Sequence, residues 1–101
     1  SLYNSYHDVI PMIKESRKGN SECWEIVGPI CESGDWLAKE RNINLRENSL
    51  ICFASAGAYC SSMASNYNSR RKPSEVIVTR DGRVREIVTR ETFDNMLIRE
   101  I

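Results

Sequence analysis

Cys31 and Glu32 stand side by side in the run Gly28-Pro29-Ile30-Cys31-Glu32-Ser33-Gly34-Asp35. A thiol, with an ordinary pKa near ~8.5, can deliver a proton to a carbanion. A carboxylate beside it can hold a cationic substrate group. The flanking Gly-Pro and Ser-Gly-Asp are turn formers, so the pair is expected on a shaped loop, where functional groups are commonly displayed. The same residues admit a plainer reading, a turn in which Ser33 and Asp35 cap backbone groups and Cys31 is tucked inside. Two other clusters are rich in polar side chains. One is Tyr3-Asn4-Ser5-Tyr6-His7; the other runs from Gly57-Ala58-Tyr59 through Ser61 to Asn68. Their hydroxyl and amide donors suit a phosphate or a carboxylate. Taken singly, Tyr59 also reads as an aromatic under a polar turn, and His7 as a structural histidine. Arg70-Arg71-Lys72 reads as a solvated face.

The four cysteines are Cys23, Cys31, Cys52 and Cys60, with a spacing of eight in each half. An even count admits a disulfide framework with three possible pairings. Structural zinc sites bring their ligands in tighter pairs, and the single His7 does not complete one, so no metal site is expected. The plainer reading is four free thiols in a reducing cytoplasm, two or three of them small core residues.

The elements that must carry these groups read mostly as strands. Val9 to Ile13 is β-rich but interrupted by Pro11, which suggests an edge. Cys23 to Val27 forms a second strand, and Trp36 to Arg41 could make a helical turn. Ser49 to Ala54 is nearly all apolar, as in a strand buried on both faces. Small residues at Ala56-Gly57-Ala58 would allow close backbone approach. Met63 and Tyr67 share a helical spacing, consistent with a short turn. Glu75 to Thr79 and Arg83 to Val88 flank Asp81-Gly82, a strong hairpin signal, and the charges of the second arm suggest an exposed edge. From Thr92, a plausible N-cap, Phe93, Met96, Leu97 and Ile101 recur at helical spacing. The sum is five strands and one C-terminal helix, an antiparallel β-sandwich or barrel or a piece of one.

The chain has 101 residues, 41% hydrophobic and 28% charged, with 14 basic and 14 acidic side chains. Such a length holds at most one small domain and excludes a full (β/α)₈ barrel of ~250 residues. Zero net charge leaves no global field for nucleic acid. No apolar run approaches the ~20 residues of a membrane span.

Together, three segments resemble the diaminopimelate decarboxylase family, within the wider fold-type III decarboxylases. They are Leu2-Tyr3-x-x-Tyr6-His7, Val27 through Lys39 with its Cys-Glu-Ser-Gly-Asp loop, and Ala56-Gly57-Ala58-Tyr59 through the Ser-Met-Ala-Ser-Asn-Tyr-Asn stretch to Arg70. Arg90-Glu91-Thr92-Phe93 is similar as well. Cys60, Arg71-Lys72-Pro73 and Trp36 depart from the family's usual residues, and none of them carries a chemical role. The resemblance implies a pyridoxal 5'-phosphate enzyme that pairs an N-terminal (β/α)₈ barrel with a C-terminal β domain of the alanine-racemase C-terminal type. Residues 1–101 would be a segment of that β domain. The barrel, with the cofactor lysine and most cofactor contacts, would lie outside this chain.

The resemblance further implies a cytoplasmic homodimer with shared active sites, taking meso-2,6-diaminopimelate to L-lysine and carbon dioxide. Cys31 would be the proton donor, reaching the partner's site. Glu32 would bind the distal amino group, Tyr3 the distal carboxylate end, and Tyr59 both the cofactor phosphate and the substrate. By itself the segment would be inactive. Two alternatives stay open: a sister decarboxylase acting on ornithine, arginine or carboxynorspermidine, and a non-catalytic β module serving dimerisation.

Overall fold

A computed structural model describes residues 5–13 and 20–101. The chain divides into two units, Ser1–Cys60 and Ser61–Ile101.

In the first unit, β2 (Glu22–Val27) pairs antiparallel with β3 (Trp36–Ile43). Along β2, Trp24 and Ile26 are half-buried while their neighbours are exposed, the two-residue alternation of a sheet with one covered face. The register runs Trp24 to Arg41, then Ile26 to Ala38, then Val27 to Trp36. Lys39 and Glu40 therefore oppose Glu25 alone, and Leu37 is a further extra residue on β3. Glu40 takes a left-handed φ of 51° at the first bulge. Two bulges in one strand sharpen its twist. Ala38, between them, is the one buried hydrophobic residue among those described.

The helical turn expected over Trp36 to Arg41 is thus a strand. Leu, Ala, Lys, Glu and Arg favour a helix by propensity, but the ladder with β2, which pairs Trp36, Ala38 and Arg41, holds the segment extended.

β1 (Val9–Pro11) pairs antiparallel with β4 (Ile51–Phe53), Pro11 opposite Ile51. The ladder is extended by Ala54 N–H to the Asp8 carbonyl, 2.9 Å, and Met12 N–H to the Leu50 carbonyl, 2.9 Å. Among the described residues β1 has a single neighbour, the edge position expected for a strand containing proline. The expectation for β4 fails. It is not buried on both faces: Ile51 and Phe53 are half-buried, while Cys52, on the opposite face, and the preceding Leu50 are exposed. Arg41 ties β3 to the segment entering β1. Its guanidinium lies 3.8 Å from the Tyr6 ring centroid and donates to the His7 carbonyl at 3.4 Å. His7 Nδ1 is 3.0 Å from the Ala54 carbonyl; a carbonyl only accepts, so Nδ1 carries the proton. His7 is structural, as its isolation in the sequence implies.

α1 (Gly57–Ser62) follows, and a Cβ on Gly57 would meet nothing within 4 Å. Among the described residues nothing makes the close approach expected at Gly57, which opens a helix. A 3₁₀ turn covers Tyr67–Ser69, with Asn68 left-handed.

In the second unit, β5 (Glu75–Val78) and β6 (Val84–Val88) form the expected hairpin. The loop holds three residues, Arg80, Asp81 and Gly82. Gly82 N–H bonds the Thr79 carbonyl and Thr79 N–H the Arg83 carbonyl, both at 2.9 Å, and Gly82 sits at φ 81°. That geometry is a type I turn closed by a glycine bulge. Asp81 accepts from Thr79 Oγ1 and from Arg83 Nε, and these contacts, the hydroxyl first, hold its carboxyl below its ordinary range. β6 is exposed along its whole length, as its charges suggest.

Thr92 caps α2 (Phe93–Leu97): its Oγ1 accepts from Asn95 N–H, and Asn95 Oδ1 accepts from Thr92 N–H. Glu91, one residue earlier, gathers the preceding loop. Its Oε2 accepts from Lys72 N–H at 2.8 Å and from Asn66 Nδ2 at 2.5 Å, and its own N–H bonds the Lys72 carbonyl. Arg71 lies over the Phe93 ring at 4.8 Å.

The architecture is mainly β, with six strands rather than five among the described residues, in three two-stranded sheets. No closed barrel forms among the described residues. All four cysteines are free and exposed. None is a core residue, since two-stranded sheets leave little interior to fill.

Bonds from Lys72 N–H, foremost, and from Asn66 hold the Glu91 carboxyl below the ordinary 4.5. A depressed carboxyl stabilises the fold fully above its unfolded pKa and loses that contribution as pH falls through the lower folded value. In the full-length protein carrying this chain, Glu91→Gln therefore lowers Tm at neutral pH. The deficit closes as pH falls below 4.5, where the wild-type side chain also becomes neutral. A thermal melt series across that range checks it.

Candidate functional site

The connection from β2 to β3 is the segment singled out in the sequence, and it is ordered by its own polar groups. Gly28 N–H bonds the Asp35 carbonyl at 2.8 Å, closing the mouth of the loop. Ile30 N–H donates to Asp35 Oδ2 at 2.7 Å, the short distance of a charge-assisted bond. Glu32 N–H bonds the Ile30 carbonyl at 2.8 Å, Asp35 N–H the Glu32 carbonyl at 3.2 Å, and Trp36 N–H the Gly34 carbonyl at 2.9 Å. The backbone on either side of Cys31 and Glu32 is thereby fixed from within the loop.

Gly28 is required for space. A Cβ there would overlap both carboxylate oxygens and the Cγ of Asp35, far inside van der Waals contact. The absent side chain is the room that Asp35 occupies when it reaches Ile30 N–H.

Cys31 and Glu32 are both exposed at the tip. The capping reading of Asp35 holds, and the tucked-in cysteine does not: the turn that Asp35 caps turns the thiol outward. Trp36, where β3 begins, carries Lys39 Nζ 4.5 Å from its ring centroid.

Tyr59 lies on α1 and is 71% exposed, so its phenol is not an aromatic packed beneath a turn. Tyr3 lies outside the described residues. Of the four predicted site residues, the structure brings Cys31 and Glu32 together on one loop and presents Tyr59 on a helix. The turn-forming character of Gly28 and the capping by Asp35 were read from sequence, but not the space that Gly28 leaves for the Asp35 carboxylate, nor the role of Arg41 in tying β3 to Tyr6 and His7. For Arg41, assignment to a helical turn concealed it. Among the described residues, no group of three or more His, Cys, Asp or Glu side chains could hold a metal ion. No helix among them is long and apolar enough to cross a membrane.

Residues 1–57 match the family described as pyridoxal-dependent decarboxylase, C-terminal sheet domain. The chain belongs to the pyridoxal-dependent decarboxylases. Among relatives of this decarboxylase chain is a diaminopimelate decarboxylase of Neisseria meningitidis serogroup B, 43% identical over all of this chain and 24% of its own length. One from Aquifex aeolicus is 43% identical over 93% of this chain and 22% of its own. A crystal structure of diaminopimelate decarboxylase from M. jannaschii superimposes with a TM-score of 0.87 at 33% identity, covering 99% of this chain and 22% of that one. A second, of the same enzyme in complex with L-lysine, gives the same values. The chain spans about a quarter of the length of the relatives it matches.

Proposed function

We propose that this chain is the C-terminal part of a pyridoxal-phosphate enzyme that converts meso-2,6-diaminopimelate to L-lysine and carbon dioxide. The observation that carries the reading is a thiol and a carboxylate held adjacent and outward on a loop ordered by internal hydrogen bonds. The names of the relatives supply the substrate.

The residues present fit a contributing role toward the cofactor. The exposed Tyr59 hydroxyl is one donor suited to a phosphate oxygen, and a single donor does not make a phosphate site. The remaining contacts are assigned to an N-terminal (β/α)₈ barrel of the same protein. When bound, pyridoxal phosphate supplies an electron sink that lets the α-carboxylate leave as carbon dioxide. The carbon that loses the carboxylate needs a proton, and the Cys31 thiol delivers it; the resulting thiolate is reprotonated from solvent. Glu32 accepts hydrogen bonds from the distal ammonium and so selects a substrate carrying a second amino group. Tyr3 holds the distal carboxylate end.

Because Cys31 and Glu32 face outward, the site they serve is built against another surface. We assign that surface to the second subunit of a homodimer. The four exposed thiols suit the reducing cytoplasm.

In the full-length enzyme, Cys31→Ala lowers kcat by on the order of a hundredfold or more, with bound cofactor retained. Near-normal turnover would remove the proton-donor role. Glu32→Gln replaces a charged hydrogen bond by a neutral one and raises KM for diaminopimelate roughly tenfold. Steady-state assays with diaminopimelate, ornithine, arginine and carboxynorspermidine measure both effects. A preference for one of the latter three would reassign the substrate, and no decarboxylation of any would leave a dimerisation module.

A further inference from the structure

Resting on that reading, we propose that Asp35 is a positioning residue for the reaction, holding the Cys31 thiol and the Glu32 carboxylate at their working places through the space that Gly28 leaves.

Asp35 engages the loop at three points. Its side chain accepts from Ile30 N–H, its carbonyl accepts from Gly28 N–H, and its own N–H donates to the Glu32 carbonyl. The residue before Cys31 and the backbone of Glu32 are thus both bonded to one amino acid. Glu32 N–H in turn bonds the Ile30 carbonyl, so Cys31 is bracketed by a tight turn whose N-terminal side depends on the Asp35 carboxylate. Asp35 is half-buried whereas Cys31 and Glu32 are exposed, so it lies behind the pair. Removing its carboxylate frees Ile30 N–H and lets the turn relax, and a reacting group displaced by ~1 Å can lose on the order of a hundredfold in rate.

Gly28 provides an independent handle on the same contact. An alanine there collides with the carboxylate of Asp35 and must push it off Ile30 N–H, with every atom of Asp35 still present. In a chain where residue 35 is alanine, the three atoms that the added methyl would meet most closely are gone.

The experiment uses the full-length holoenzyme carrying Asp35→Ala, Asp35→Asn, Gly28→Ala and the Gly28→Ala/Asp35→Ala pair, beside Cys31→Ala. Bound pyridoxal phosphate is followed by absorbance, and kcat, KM for diaminopimelate and the solvent deuterium effect on kcat are measured. D35A is expected to lower kcat by on the order of tenfold to a hundredfold, to raise KM and to enlarge the solvent isotope effect, with cofactor content unchanged. D35N restores most of kcat, because an amide oxygen still accepts from Ile30 N–H. G28A reproduces the D35A signature, and the double variant is no worse than D35A, the non-additivity of two changes acting on one contact. If D35A does not fold, D35N and G28A carry the test. Wild-type kcat and isotope effect in G28A, or independent additive losses in the pair, would overturn the positioning role. Those outcomes with C31A impaired leave the proposed function intact. Normal turnover in C31A removes the proton-donor reading itself, whatever Asp35 does.

Discussion

The bond from Ile30 N–H to the Asp35 carboxylate, made in the space beside Gly28, is the contact on which the chemistry of this chain turns. An exposed loop has no core to order it, and each backbone residue held in one conformation costs roughly 1–2 kcal/mol of entropy. Here the order comes from a set of bonds that begin and end within residues 28–36. A carboxylate acceptor makes the central bond stronger than a neutral one would be. The outcome is a polar loop that can hold a thiol and a second carboxylate in water without burying either.

The platform under the loop is the β2–β3 pair. Its two bulges place Ala38 inward, and the second of them lies directly beside the loop's exit at Trp36. Arg41, next to the first bulge, stacks on Tyr6 and bonds the His7 carbonyl, so the strand leaving the loop is tied to the segment leading into β1. In the other unit Glu91 plays a comparable part with fewer residues, drawing Asn66 and Lys72 onto one carboxylate oxygen beside the Thr92 cap.

Local chemistry was legible in the sequence wherever it dominates. The Asp81-Gly82 hairpin, the Thr92 cap, the edge character at Pro11 and the loop between Gly28 and Asp35 each follow from one or two residues with strong backbone preferences. What could not be read depends on partners distant in sequence. Leu37 through Arg41 are good helix formers, and only the facing β2 makes them a strand with Glu40 left-handed. Ser49 to Ala54 has the composition of a buried strand, yet among the described residues β4 pairs with one strand. The cysteines look like small core residues by type, and two-stranded sheets offer no core to receive them. In the site, residue types pointed to Cys31, Glu32 and Tyr59. The contribution of Gly28 lies in an atom it lacks, which composition does not reveal without coordinates.

The β5–β6 hairpin exposes Val76, Ile77 and Val78 on one strand and Val84, Ile87 and Val88 on the other, so apolar side chains stand on both of its faces. Short β-branched windows of this kind are templates for cross-β stacking when left uncovered. The sequence surrounds them with charge: Glu75 at the start of the first strand, Arg80, Asp81 and Arg83 around the turn, Arg85 and Glu86 within the second. Placed there, like charges would stack directly above one another in any in-register fibril, and the repulsion acts as a gatekeeper during synthesis. The charges around this hairpin thus guard its exposed apolar strands against self-association.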